Sequence, residues 1–292
     1  VAITIANVRV RSYENIVRHL AQQGISRLRP WVMEKAVNSE AHNWETQNTV
    51  DTALKATTGR VDTPFMDTPW DRRISRPRVH HVADSVEIED PSMMIVDPNS
   101  NIAHGQGMAM KRTFDDVIID AVTGTAENNT DANIAFPTSQ IIGDYTTDFD
   151  FDLVTQVTEK FMANDIDPDI EKVFVISPAF ARKLLQLTEA TSGDYNALRP
   201  LTSKGYVESW MGYSWLVSTR LNSPANDQRD IFAMSKKAIG LQVNQDISSK
   251  VGQDPTRSFM WIIYSHANIG AVRVEDKHVV WVKAEETGAV AS

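Results

Sequence analysis

The apolar positions along this 292-residue chain change their period near residue 100. Before it, residues 1–40 are basic and weakly patterned, with a short helix expected between Tyr13 and Gln23 and ended by Gly24. Residues 41–89 hold little that can fill a core. Their tip, ATTGRVDTPFMDTPW, carries Gly59, Pro64 and Pro69, residues that punctuate turns. The return leg, RRISRPRVHHVADSVEIED, sets Val82, Val86 and Ile88 at even positions, the period of a strand. Pro77 lies within this leg and lacks an N–H, which confines the leg to an edge or a two-stranded ribbon. About 14 extended residues reach ~45 Å, against a radius of gyration of ~19 Å for a compact chain of this size. An extended ribbon therefore projects, and it needs a surface to lie on because an isolated hairpin is marginal in water.

From Ser100 to Thr123 the period becomes 3.6. Ala103, Gly107, Met110, Phe114, Val117, Ile118 and Ala121 share one face, Ser100 or Asn101 caps the start, and Gly124 ends the helix. Such a helix is roughly 36 Å long. Gly105 and Gly107 each cost it about 1 kcal/mol against Ala, which admits close packing of another chain or a bend. Met108 and Ile119 fall on its otherwise polar side and are candidates for a second packed face. Residues 125–150 read as loop. Leu153, Val154, Val157 and Phe161 then mark a helix, Lys172–Ile176 a buried strand, and Ser177-Pro178 a capped helix start running through Leu187. Residues 190–206 read as loop. Strands follow at Gly212–Thr219 and Asp230–Met234, with Ser235 capping a short helix. The last strands are Phe259–His266, Gly270–Val274 and His278–Lys283, the final two joined as a hairpin through Glu275, Asp276 and Lys277.

The length accommodates one large or two ordinary domains. Net charge is −9, which argues against indiscriminate binding of nucleic acid. The charge is uneven. Residues 1–35 carry six Lys and Arg against Glu14 and Glu34, while residues 144–169 carry eight acids against Lys160. One end is thus suited to attract the middle of a neighbouring copy. There is no cysteine, so disulfides and thiolate metal sites are excluded, and the composition suits a reducing cytoplasm. The longest apolar run, Phe259–Tyr264, is far short of the ~20 residues of a membrane span. No secretory signal pattern opens the sequence. Its start at Val1 gives the expectation that an initiator Met or a longer precursor has been removed.

Catalytic and ligand motifs are weak. Adjacent residues on a strand face opposite ways, so His80-His81 is no chelate. Gly105-Gln106-Gly107 lacks the third glycine and the preceding strand of a dinucleotide loop. Gly212-Tyr213-Ser214-Trp215-Leu216 lacks the second glycine of a nucleophile elbow. The acidic run Asp144–Asp152 does not have the spacing of a calcium loop and reads as a solvated stretch. No catalytic residue, metal ligand or cofactor is expected. The cluster Arg72, Arg73, Arg76 and Arg78 binds phosphate or pairs with carboxylates of another subunit; the chain's acidity favours the second. With Trp70, Asp148, Asp150, Asp152, Met108 and Ile119, these arginines are the candidate subunit-interface residues.

The order of parts is a basic arm, an extended ribbon, a long helix, an α/β insert and returning strands. In it, the segment RRISRPRVHHVADSVEIEDPSMMIVDPNSNIAHGQGMAMKRTFDDVIIDAVTGTA resembles the major capsid proteins of tailed bacteriophages, of the Hong Kong 97-type fold. An Arg-rich return strand leads through an Asp97-Pro98 turn to the helix, and Ile269–Ala284 resembles the closing strands of that family. The resemblance covers nearly the whole chain and implies an α+β shell subunit. It implies an N-terminal arm at 1–40 and an extended β-hairpin loop at 41–88. It implies a peripheral domain from 89–135 and 253–287 with a spine helix at about 100–123, and an axial domain at 136–252. It further implies homo-hexamers and homo-pentamers of an icosahedral shell around double-stranded DNA that is held by non-specific proximity. Partners expected on the same ground are scaffold, portal and decoration proteins, with no membrane. The protein would then be a virion component assembled in the bacterial cytoplasm. No scaffolding segment is seen in the sequence, so a separate scaffold or prior cleavage is expected; Lys55 matches no crosslinking motif. Two alternatives stand beside this reading: an encapsulin-like compartment around a protein cargo, and an α/β enzyme using the Lys172–Leu187 unit.

Overall fold

The computed structural model describes residues 22–48, 68–87, 89–90, 98–128, 130–187, 208–225 and 227–286. The expected helix at Tyr13–Gln23, the ribbon tip, Ile88, the Asp90-Pro91 and Asp97-Pro98 turns and the 190–206 loop fall wholly or partly outside them.

In chain order the elements are β1 (Met33–Ala36), β2 (His42–Gln47), β3 (Trp70–Ser75), β4 (Arg78–Val86), α1 (Pro98–Thr123), β5 (Ala126–Asn128), β6 (Asn133–Ile134) and β7 (Ile141–Ile142). They continue with α2 (Phe151–Ala163), β8 (Lys172–Ile176), α3 (Pro178–Gln186), β9 (Ser209–Trp210), β10 (Tyr213–Val217), β11 (Gln228–Ser235), β12 (Ile239–Asp254), β13 (Met260–Arg273) and β14 (Val279–Glu285). The strands form three sheets, of order β1-β12-β13-β4, β7-β14-β11-β8-β10-β9 and β2-β3-β5-β6. The described residues pack as two units. One is 22–25, 79–112 and 246–267; the other is 26–78, 113–245 and 268–286.

In the larger unit the six-stranded sheet grows from β8, KVFVI, whose last four residues are all buried. It pairs in parallel with β10 and antiparallel with β11. Leu153, Val154, Val157 and Phe161, the apolar stripe expected of α2, are all buried. Asp150 accepts the N–H of Leu153 at 2.9 Å and caps that helix, while Ser177 caps α3 with Pro178 in its first turn. Between helices and sheet lies an aromatic core in which the rings of Phe174 and Trp215 stack at 4.7 Å and those of Phe149 and Phe180 lie 5.3 Å apart.

The spine helix α1 runs 26 residues without interruption, about 39 Å at 1.5 Å per residue. Its buried arc is wider than one face: Met110, Phe114, Ile118 and Val122 are enclosed, and so are Met108, Asp115 and Ile119. Gly124 closes it by donating its N–H to Asp120 O at 2.9 Å, and a Cβ there would sit 2.4 Å from that oxygen.

Five readings of the sequence change, the first being the loop expected at 125–150, which holds β5, β6 and β7. Pro77 does not mark a lone ribbon. It separates β3, held between β2 and β5, from β4, an edge strand of a different sheet. Ser235 caps no helix: it ends β11, and Ala238 donates back to Ser235 O at 3.0 Å in a tight turn to β12. β12 itself is 16 residues long and was not expected. The last strands make no hairpin. The two expected pieces 259–266 and 270–274 form one strand, β13, and the 3-10 turn Asp276–His278 carries the chain into another sheet, where β14 pairs with β11 and β7.

Candidate subunit interface

The arginines of the return leg stand on a strand built by cross-strand pairing. Glu45 lies opposite Arg72 in the β2–β3 register, and the two form an ion pair at 2.6 Å. Arg73, one residue on, points inward, is 7 % exposed and reaches Asp276 at 3.0 Å. Arg76 pairs with Glu127 at 2.8 Å and with Asp131. Three of the four therefore have carboxylate partners within the chain. Arg78, the first residue of β4, is exposed and has no ion-pair partner among the described residues. Trp70 opens β3 with 68 % of its surface exposed.

The acidic candidates are occupied locally. Asp148 pairs with Lys183, Asp150 caps α2, and Asp152 accepts from Gln156 Nε2 at 2.6 Å. Met108 and Ile119 are buried. The structure thus brings Trp70, Asp71, Arg72 and Glu45 together around a shallow recess of about 290 Å³ beside the stem of the ribbon. It does not bring the acidic residues or the two α1 side chains to that place.

Two of the buried charges that escaped sequence reasoning, Arg273 and Asp115, hold α1 in place. Arg273 has no exposure. Its Nη1 donates to Gly124 O at 2.6 Å and Val122 O at 3.2 Å, its Nε donates to Asp276 at 2.5 Å, and its guanidinium lies 4.8 Å from the Phe136 ring centre. A cation at the carbonyl end of a 26-residue helix offsets the negative pole of the helix dipole. Asp276 in turn holds Arg73, so one carboxylate ties β3, β13 and the end of α1. Asp115 is the second: it accepts from Ser26 Oγ at 2.6 Å and from the backbone N–H of Arg27 and Leu28 at 3.1 Å. This ties residues 26–28 to α1 within the larger unit. The only visible signal was an acid inside an apolar stripe, FDDVII, and an arginine inside a strand, AVRVED.

One arrangement has the residue types of a hydrolase. Ser235 Oγ lies 2.6 Å from His278 Nδ1, and His278 Nε2 lies 3.3 Å from Glu275. With Nε2–H aimed at the carboxylate, Nδ1 accepts from the serine hydroxyl. The hydrogen bond from His278 holds the Glu275 carboxyl below the usual carboxylate range. Ser235 has no exposure at all, however, so no substrate reaches it. The chain of bonds links the end of β11 to the turn before β14.

Comparisons agree with the geometry. A family model described as phage capsid protein matches residues 5–286. Among solved structures, the capsid of the cyanophage P-SCSP1u superposes with a TM-score of 0.74 at 14 % identity, covering 97 % of this chain and 95 % of that one. The capsid of Ralstonia phage GP4 gives 0.73 at 8 % identity, with 97 % of each chain covered. The cyanophage Pam1 capsid gives 0.72 at 11 % identity, with 99 % of each covered. No curated protein matches the sequence.

Proposed function

The chain belongs to the phage capsid protein family, and from that premise we propose how it is used: as the repeating subunit of hexamers and pentamers in an icosahedral shell around double-stranded DNA. It is a major capsid protein of the Hong Kong 97-type α+β fold, a structural component of the virion and not an enzyme. As such it associates with copies of itself. The family match across 282 of its residues, 5–286, carries this reading.

Within the shell, residues 1–40 act as an arm and 41–88 as the extended loop, its base held in the subunit's own sheets through β2, β3 and β4 and the part beyond that base laid across a neighbour. Residues 89–135 and 253–278 form the peripheral part around α1, and 136–252 the axial part. Pairing of β14 with β11 argues for counting 279–285 with the axial sheet rather than the peripheral one. Of the ten candidate interface residues, Trp70 and Arg78 are the two that are exposed and have neither an ion pair nor a side-chain hydrogen bond among the described residues, and they are the two placed against a neighbour. Scaffold, portal and decoration proteins complete the assembly.

The test is assembly itself. Purified subunit, across a range of salt and with a scaffold supplied, is examined by negative-stain electron microscopy. Closed shells of uniform diameter, and nuclease-protected DNA in particles from producing cells, are expected. Monomers under every condition, or particles holding an enzyme instead of DNA, would refute the reading.

A further inference from the structure

Strand β4 is the last strand of the sheet β1-β12-β13-β4, so one of its edges is open among the described residues. It is nine residues long, and six of them are exposed. A long exposed edge presents a row of unpaired backbone N–H and C=O groups that invites another strand. Beneath it runs a groove of about 460 Å³ between β4 and the first half of α1. The groove is lined mainly by apolar atoms, among them Val82, Ala83, Ile102, Gly105 and Ala109. A glycine and an alanine one turn apart leave the helix surface low there, at the depth a further strand would need. The chain leaves this edge with Asp84, Glu87, Glu89 and Asp90.

One segment of the chain has the matching chemistry. In residues 1–10, VAITIANVRV, six of ten are β-branched: Val1, Ile3, Thr4, Ile5, Val8 and Val10. Apolar residues alternate at 1, 3, 5 and again at 8, 10, and the only charges at this end are Arg9 and Arg11. Such a segment, with no Pro and no acid, aggregates if left free. Its tether favours its own groove. Arg112 Nη1 holds Gln22 Oε1 at 2.8 Å and Gln23 O at 3.3 Å, so the chain enters the described region beside α1. Gly105 lies about 10 Å back along the helix, while the eleven residues between span up to ~36 Å. An intramolecular partner within reach acts at millimolar effective concentration.

We propose that residues 1–10 dock on β4 of the same chain as an added strand, covering the groove against α1, with Arg9 and Arg11 over the acidic end of β4. The docking closes a long open edge of the smaller unit. A protein that must meet its copies along chosen surfaces thereby loses a route to indiscriminate sheet pairing. The proposal concerns the free subunit and stands or falls independently of shell assembly.

The absence of cysteine makes a disulfide scan clean. Ala83→Cys is combined in turn with cysteine replacement at each position from Ala2 to Val8, Ile3→Cys and Ile5→Cys among them. Neighbouring strands lie ~4.8 Å apart, inside the Cα separation a disulfide accepts. After mild oxidation, non-reducing electrophoresis and peptide mass spectrometry should show crosslinks within one chain, at alternate positions. Crosslinks only between chains, or at no position, overturn the proposal. As a second readout, deletion of residues 1–10 should raise amide hydrogen exchange of residues 81–86 at least ten-fold, with β8 unchanged. Equal exchange in the full and shortened chains overturns it as well.

Discussion

A charged side chain with no exposure survives only where its hydrogen bonds are met, and Arg273 meets them with carbonyls near residue 123 and a carboxylate three residues on. Arg273→Met leaves the partly exposed Asp276 with one cation fewer and the end of α1 without its donor. Breaking one side of a fully buried pair costs about 3–5 kcal/mol. With Asp276 partly exposed and still held by Arg73 the loss is smaller than that, and the urea midpoint of the unassembled subunit should fall; an unchanged midpoint rejects the hub. Arg273→Lys should recover little, since a single ammonium cannot replace a planar fork. Asp120 is the opposite case. Partial burial, and then the neighbouring Asp116, raise its carboxyl above the ordinary value of 3.8. An acid whose folded value exceeds its unfolded one binds its proton more tightly when folded. Stability is therefore full below the unfolded value and declines as pH rises through the folded one. The charge also sits at the negative pole of α1. Asp120→Asn should raise the melting temperature at pH 7 and leave it unchanged near pH 2; a lower melting temperature at neutral pH would contradict this. The cap Ser177 was legible in the sequence because it acts three residues away and precedes a proline, whereas Asp150, a cap of the same spacing, was hidden in a run of acids that reads as solvated. Arg273 was not, because its carbonyl partners lie about 150 residues away in the chain.

At the scale of elements, what could be read was what carries one clean period. α2, α3 and β8 came out within a residue or two because each buries one stripe or one short run. β12 did not, and its burial shows why: residues 239–243 are enclosed on both faces while most of its distal half is exposed, so no alternation runs through it. The split of the return leg at Pro77 was missed for a related reason. Period two is the same in β3 and β4, and nothing in it says that the two strands serve different sheets. The two glycines of α1 divide as well. Gly105 lies in the groove beside β4, but nothing among the described residues comes within 4 Å of where a Cβ of Gly107 would stand. Gly107→Ala should therefore stabilise the free subunit by about 1 kcal/mol through helix propensity alone, measured by thermal or urea unfolding. A loss of stability would show that the space is filled.

At the scale of the molecule, the return-leg arginines separate into two kinds, and assembly should tell them apart. Arg73 is enclosed and bound to Asp276, so Arg73→Ala attacks the subunit's own fold. Trp70 and Arg78 lie on the surface, and Trp70→Ala with Arg78→Ala removes nothing the subunit needs. A contact weakened by about 1 kcal/mol is a roughly five-fold change in one equilibrium constant. In a closed shell the same contact recurs at every copy, so the critical concentration for assembly moves far more than any single affinity. Light scattering at fixed protein concentration should show the Trp70/Arg78 double variant with an unshifted melting temperature and a raised assembly threshold. Screening acts on exposed charge at a Debye length of about 10 Å in 0.1 M salt, so the Arg78 share of that defect should shrink as salt rises and the Trp70 share should not. Arg73→Ala should lower the melting temperature first and assemble poorly only for that reason. If the double variant melts early and Arg73→Ala does not, the surface assignment is reversed and the leg belongs to a different contact.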